Sequence, residues 1–167
     1  MLEARLADMR ILIVDDQPAN VLLVRSILER AGYTEIRGES DPLAVLDVVR
    51  EFEPDLIVLD LHMPRRDGFQ VLDDLRRAQA QDEYLPVLVI TADATPEVKR
   101  RALNGGATDF LTKPFDHVEV RLRVRNLLQT RSLHNGLQRT NARLEGLVSQ
   151  RTAELEAAHG EILTRLA

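Results

Sequence analysis

A short apolar run constrains the fold of this chain more than any other stretch. Residues 56–59, reading LIVL, are consecutive apolar side chains, and Asp60 follows them directly. An unbroken run of this kind is typical of a strand buried on both faces, as in the middle of a parallel sheet. Because ligands of open α/β sheets collect at the carboxyl ends of the strands, we expect Asp60 to stand in the functional site.

Four more segments are predicted to be strands of the same sheet. They cover residues 10–14, the neighbourhood of Ile36, residues 85–90 and residues 109–112. Apolar residues with helical spacing lie between successive strands. Strands that alternate with helices through right-handed crossovers build one doubly wound sheet. The predicted fold is therefore α/β, a five-stranded parallel sheet with flavodoxin-like β–α repeats, followed by a long C-terminal helix.

The helix ends are predicted from residues that cap or break helices. Gly32 closes the first helix, and the second runs to about Phe52 with Leu43 among its apolar positions. Proline in a first turn and Asp or Thr before it are typical helix starts. The predicted starts are Pro18, Asp41–Pro42, Asp67–Gly68 and Thr95–Pro96.

Composition limits the class of protein. The chain has no cysteine, which excludes disulfides, thiol nucleophiles and zinc–thiolate sites. Its start lacks the apolar core of a secretory signal and no apolar run approaches a membrane span, so we expect a cytoplasmic protein without membrane contact. Residues 1–116 hold 22 acidic and 14 basic side chains, a balance of −8 that argues against direct binding of nucleic acid.

The chain changes character after Asp116. It contains no further proline, and apolar residues fall on two positions of one heptad frame. We predict a parallel homodimeric coiled coil in which Asn141 fixes the register. The alternative is a lone amphipathic helix that folds back on the domain, but so small a domain cannot cover the apolar seam of a fifty-residue helix. The predicted seam is Leu127, Leu137, Asn141, Leu144, Val148, Leu155 and Ile162.

Polar residues at four strand ends are expected to meet at the carboxyl edge of the sheet. They are Asp15 and Asp16 after the first strand, Asp60 after the third, Thr91 after the fourth and Lys113 after the fifth. Three carboxylates in one pocket repel one another unless a hard dication neutralises them, and Mg²⁺ suits such a site. A carboxylate beside Mg²⁺, a lysine and a threonine hydroxyl fits a phosphoryl acceptor.

Other interpretations stay open at this point. Taken singly, Asp15 or Asp16 suits the N-cap of the first helix. A flavodoxin-like cofactor binder would need a Ser-, Thr- or Gly-rich first loop, where this chain has residues 15–18, DDQP. A phosphatase with an aspartyl phosphate intermediate would need an acid–base Asp where His62 stands. A dimerisation scaffold would need no phosphate.

Four motifs carry a resemblance to a known family. They are VDDQP at 14–18, LDLHMPRRDG at 59–68, ITA at 90–92 and KPF at 113–115. With them, residues 9–128 resemble the receiver domain of two-component response regulators. The resemblance implies that Asp60 accepts a phosphoryl group from a histidine kinase. It also implies that Asp15, Asp16, Asp60 and the backbone carbonyl of His62 hold Mg²⁺.

The same resemblance implies roles for the residues around Asp60. Thr91 and Lys113 bind the phosphoryl group, and the bond before Pro114 is expected to be cis. Thr91 and Phe110 are expected to switch together, with plain core packing as the alternative for Phe110. His62 and Asp93 are expected to tune the lifetime of the phosphoryl group through access of water.

We expect the output domain, which the receiver would regulate, to lie beyond this stretch of sequence. Residues 151–167 are similar to the helix that leads into HD-GYP phosphodiesterase domains, which hydrolyse cyclic di-GMP. Diguanylate cyclase and histidine kinase outputs follow similar linkers and stay as alternatives. The expected division is a leader over 1–8, a receiver over 9–128 and a coiled-coil signalling helix over 129–167. The chain itself is then a regulatory module whose only chemistry is its own phosphorylation and dephosphorylation.

Overall fold

The computed structural model describes residues 6–80 and 83–166, and a parallel sheet forms its centre. The five strands lie in the order β2-β1-β3-β4-β5, and every neighbouring pair is parallel. This confirms the predicted fold. The strands are β1 (Ile11–Val14), β2 (Ile36–Glu39), β3 (Leu56–Asp60), β4 (Val87–Thr91) and β5 (Asp109–Thr112).

Helices alternate with these strands along the chain. The last of them is a single helix of 50 residues, which confirms the predicted long C-terminal helix. The helices are α1 (Pro18–Arg30), α2 (Val45–Phe52), α3 (Gly68–Ala78), α4 (Pro96–Asn104) and α5 (His117–Leu166).

Alternation of side chains along the strands divides the core into two layers. On one face, Ile13 and Val58 pack with apolar residues of α1 and of the first part of α5. On the other face, Leu12 and Leu59 pack with α2, α3 and α4. Strands β1, β3 and β4 are buried along their whole length. Each fully buried aliphatic side chain contributes roughly 1.5–3 kcal/mol, so the central strands hold the edge that carries the site firmly in place.

The start of α2 differs from the prediction. The helix begins at Val45, because the residues before it form a turn in which the Ala44 amide donates to the carbonyl of Asp41 at 3.1 Å. The Asp41 carboxylate also accepts from the Leu43 amide at 3.1 Å, a local bond that competes with helix formation. Leu43 therefore lies outside the helix and is exposed.

Gly68 brings the start of α3 against the end of β3. A Cβ at this position would lie 2.5 Å from the carbonyl oxygen of Asp60 and 2.7 Å from the Cα of Leu61, so only glycine fits. The preceding Asp67 caps the helix in a capping box with Gln70. These two residues fix the loop that follows Asp60.

The structure divides into two units between Arg131 and Ser132. In the first, Val120, Val124 and Leu128 of α5 are buried in the core, together with Leu127, which we predicted as a seam residue. Leu6, which we expected in a leader, is buried there as well. Among residues 6–80 and 83–166, none of the helices combines the length and apolar character that a membrane span requires.

The second unit is helical throughout its described part. Its apolar residues at the predicted seam positions are each more than half exposed, from 53% at Leu144 to 66% at Val148. Within this chain, then, the apolar stripe of the tail stays open to solvent.

Candidate functional site

The carboxyl edge of the sheet brings together the side chains that the motifs single out. Asp60 is the last residue of β3 and Thr91 the last of β4, while Asp15 and Lys113 directly follow β1 and β5. The Lys113 ammonium lies 3.0 Å from Oδ1 of Asp60 and 3.4 Å from Oδ2 of Asp15. Because these strands are neighbours in a parallel sheet, their ends converge on one pocket.

Asp15 is buried and held by several donors. Its Oδ1 accepts from the Gln17 amide at 2.9 Å, and its two oxygens lie 3.2 and 3.0 Å from the side-chain nitrogen of Asn20. The N-cap of α1 is Gln17, so the interpretation of Asp15 or Asp16 as that cap is wrong. Sequence reasoning missed Asn20, although its place in the first turn after Asp15 pointed to this contact.

Asp16 is the opposite case. Its Oδ1 is buried and has no hydrogen-bond partner among the described residues. One oxygen each from Asp15, Asp16 and Asp60 lie within 4.8 Å of one another. A buried carboxylate oxygen without a donor is costly unless something else satisfies it. Three carboxylates this close together, with one buried oxygen that lacks a donor, therefore fit a hard divalent cation such as Mg²⁺.

The charges of Asp60 and Lys113 depend on each other. Burial raises the pKa of Asp60, and the hydrogen bond and charge of Lys113 oppose that rise only in part. Burial lowers the pKa of Lys113, but the hydrogen bond to Asp60 and the charges of Asp60 and Asp15 outweigh this and raise it. Lys113 thus remains a cation at neutral pH. The amide of His62 donates to Oδ2 of Asp60 at 2.9 Å and orients the carboxylate.

The hydroxyl of Thr91 is engaged on two sides. Thr91 is fully buried. Its Oγ1 accepts from the Asp93 amide at 3.2 Å and shares a hydrogen bond of 3.1 Å with Nδ1 of His62. The Asp93 carboxylate accepts from the Thr95 amide at 2.9 Å, and this bond lowers the pKa of Asp93. The His62 contact was not predicted, since spacing alone placed that residue only near the site.

Phe110 lies on β5, and Pro114 lies two residues after the end of that strand. Phe110 is partly buried against the second core layer and is paired with Val89, two residues before Thr91 on β4. The ammonium of Lys99 lies 5.4 Å from the centre of its ring.

The Lys113–Pro114 peptide bond is cis. A cavity of about 240 Å³ opens beside the site and is lined in part by Asp60 and Lys113.

Curated relatives share this part of the chain. Residues 11–125 match the family described as the response regulator receiver domain. The DNA-binding dual master transcriptional regulator RpaA of Synechocystis is 43% identical over 120 residues, which are 72% of this chain and 49% of that protein. The cyclic di-GMP phosphodiesterase response regulator RpfG of Xanthomonas campestris is 32% identical over 160 residues, which are 95% of this chain and 42% of that protein. The chain spans about half the length or less of these two relatives.

A solved structure shares the fold. The chemotaxis protein CheY4 of Vibrio cholerae superposes with a TM-score of 0.65 at 31% identity, over 73% of this chain and 99% of that one. The family match and the relatives agree with the fold and with the motifs at its carboxyl edge. The chain belongs to the family of response regulator receiver domains of two-component systems.

Proposed function

We propose that Asp60 accepts a phosphoryl group from a partner histidine kinase. The observation that carries this proposal is the convergence of Asp60 with Asp15, Asp16 and Lys113 at one strand edge. A cation and an ammonium beside a carboxylate nucleophile suit a transfer whose charge spreads over the phosphoryl oxygens.

The chain's own residues supply most of this chemistry. An oxygen of the Asp60 carboxylate attacks phosphorus, the bond from phosphorus to the donor's imidazole nitrogen breaks, and the imidazole leaves with the electron pair. Lys113 offsets negative charge on the acceptor and then on the phosphoryl group. Asp15, Asp16, Asp60 and the backbone carbonyl of His62 would hold Mg²⁺, which when bound neutralises the carboxylates and the phosphoryl oxygens.

Phosphorylation is proposed to move Thr91 and Phe110. If the Thr91 hydroxyl donates to Nδ1 of His62, it has to give up that hydrogen bond in order to donate to a phosphoryl oxygen. Phe110 carries no hydroxyl, so its two positions would differ by packing and by its contact with Lys99. His62 and Asp93 stand beside this hydroxyl and are proposed to tune how long the phosphoryl group lasts.

The helical tail is proposed to pass the signal to an output domain. Its exposed seam supports a parallel homodimeric coiled coil in which Asn141 occupies a seam position. Similarity to RpfG covers 95% of this chain and so runs through the tail, which supports a cyclic di-GMP phosphodiesterase output of the HD-GYP type. In this proposal residues 9–128 are the receiver, 129–167 are the signalling helix, and the intact protein works in the cytoplasm.

Intact mass spectrometry after incubation with acetyl phosphate and Mg²⁺ tests the phosphoacceptor. We expect one added phosphoryl group on the wild type and none on Asp60→Asn. Asp73→Asn is the matched control, since Asp73 is an exposed aspartate of α3, and it should be phosphorylated like the wild type. Phosphoryl uptake by Asp60→Asn, or its absence from the wild type, would contradict the proposal.

A further inference from the structure

Asn20 lies in the first turn of α1 and faces the site, yet the proposed function gives it no role. Its side-chain nitrogen is 3.2 Å from Oδ1 and 3.0 Å from Oδ2 of Asp15. One amide thus reaches both oxygens of a single buried carboxylate. Hydrogen bonds to an ionised acceptor are roughly twice as strong as those between neutral groups, so this contact strongly favours one orientation of the carboxylate.

The two neighbouring carboxylates differ in how they are held. Asp15 has the Gln17 amide and Asn20 as donors, while Oδ1 of Asp16 is buried without any donor among the described residues. Asp16 therefore has an oxygen to offer a cation, whereas Asp15 has its direction fixed in advance. Groups behind a metal ligand commonly set that direction.

Lys113 lies close enough to compete with Asn20 for the Asp15 carboxylate. Its ammonium lies 3.4 Å from Oδ2 of Asp15, the same oxygen that lies nearer to Asn20. Without the amide of Asn20, Lys113 would be the strongest remaining donor to the Asp15 side chain. The carboxylate would then be drawn toward the ammonium, and its present orientation beside the oxygens of Asp16 and Asp60 would no longer be fixed.

We propose that Asn20 is the positioning residue that holds Asp15 ready to bind a divalent cation, an inference that rests on the proposed magnesium site. Among the described residues no hydrogen bond joins the Asn20 side chain to Asp60, so we infer that Asn20 acts through Asp15 and not on the reacting atoms. Loss of such a supporting contact typically weakens metal binding about 10–100-fold. Excess Mg²⁺ should recover the resulting loss of phosphorylation rate.

The test measures Mg²⁺ affinity by isothermal titration calorimetry and the rate of phosphorylation by acetyl phosphate as Mg²⁺ is raised. For Asn20→Ala we expect affinity to fall about 10–100-fold, the half-saturating Mg²⁺ concentration to rise in step, and the rate to recover at high Mg²⁺. Asn20→Ser keeps one donor and should lie between Asn20→Ala and the wild type. Asn126→Ala, which changes an exposed asparagine of α5, should bind Mg²⁺ like the wild type.

The possible results distinguish failure of the Asn20 role from failure of the proposed magnesium site. Wild-type affinity in Asn20→Ala overturns the role of Asn20 and leaves the magnesium site standing. A rate that stays low at high Mg²⁺ also overturns it, since it places Asn20 in the chemistry. Failure of the wild type to bind Mg²⁺ overturns the site itself. Circular dichroism of each variant without metal shows whether it is folded, and Asn20→Ser carries the test if Asn20→Ala is not.

Discussion

The carboxyl edge of the sheet and the helical tail differ in where their side chains find partners. At the edge, Asp15, Asp60, Thr91 and Lys113 bond to one another or to nearby residues of the same unit. In the tail, the apolar residues of the predicted seam are each more than half exposed. At the edge, within the described residues, only Oδ1 of Asp16 is buried without a donor among the three carboxylates, whereas the apolar side chains of the tail seam remain exposed.

This difference matches the proposed division between phosphoryl transfer at the edge and signal transmission through the tail. If the proposed function is right, the edge should accept a phosphoryl group in a monomer, because its side chains come from one unit of a single chain. An exposed apolar seam gains roughly 1.5–3 kcal/mol for each aliphatic side chain that a partner covers. We therefore expect substitutions at the carboxyl edge to alter phosphorylation and substitutions in the tail to alter the oligomeric state.

The largest effect is expected at Lys113. Lys113→Ala removes the ammonium beside Asp60, and the rate of phosphorylation by acetyl phosphate should fall by about 100-fold or more. Arg100→Ala, which removes an exposed cation of α4, is the control. Intact mass spectrometry over time gives both rates. Equal rates for the two variants would remove Lys113 from the transfer.

In the tail, Leu144→Asp should separate the proposed dimer and leave phosphorylation intact. A dimer would lose two buried leucines and gain two carboxylates in the seam, so its dissociation constant should rise by at least about 100-fold. Ala153→Asp, outside the seam in the same heptad frame, is the control. Sedimentation equilibrium measures the change. A Leu144→Asp variant as dimeric as the wild type would show that the seam is elsewhere.

Replacement of His62 should have a moderate effect on lifetime. The exposed His62 ring shares a hydrogen bond with the buried Thr91 hydroxyl, so we expect His62→Ala to admit water and to shorten the lifetime of the phosphoryl group several-fold. Decay of the phosphorylated mass after removal of acetyl phosphate measures it. An unchanged or longer lifetime would contradict a role in limiting access of water.

The smallest effect concerns the stability of the metal-free protein. Because burial raises the pKa of Asp60, folding favours its neutral form, and the ionised form lowers stability at pH values above that raised pKa. Asp60→Asn has no such charge and should melt a few degrees higher than the wild type at pH 7. The gap should narrow as the pH falls below the raised pKa of Asp60 and should vanish below the ordinary pKa of an aspartate. Calorimetry showing a less stable Asp60→Asn at pH 7 would contradict this.

Much of the fold and of the site's position could be predicted from sequence. Unbroken apolar runs are specific for buried strands, and residues 109–112 were predicted with the bounds that β5 has. Since parallel strands end at one edge, a residue just after each strand, such as Asp15 or Lys113, is placed in space by the strand alone. The positions of these residues could therefore be predicted from the sheet topology.

Contacts that depend on distances between elements could not be predicted. The bond from His62 to Thr91 joins side chains that lie 29 residues apart and whose directions follow from packing. Leu127 fits the heptad frame, yet it packs against its own sheet. A heptad pattern identifies an apolar stripe without saying which surface covers it. The turn before α2 formed because the Asp41 side chain bonded locally.

Native mass spectrometry tests the separation of chemistry from assembly most directly, because it reads oligomer and phosphoryl content together. With acetyl phosphate and Mg²⁺, we expect a phosphorylated dimer for the wild type, a phosphorylated monomer for Leu144→Asp, and an unmodified dimer for Asp60→Asn. A Leu144→Asp monomer that takes up no phosphoryl group, or a phosphorylated Asp60→Asn, would contradict the account.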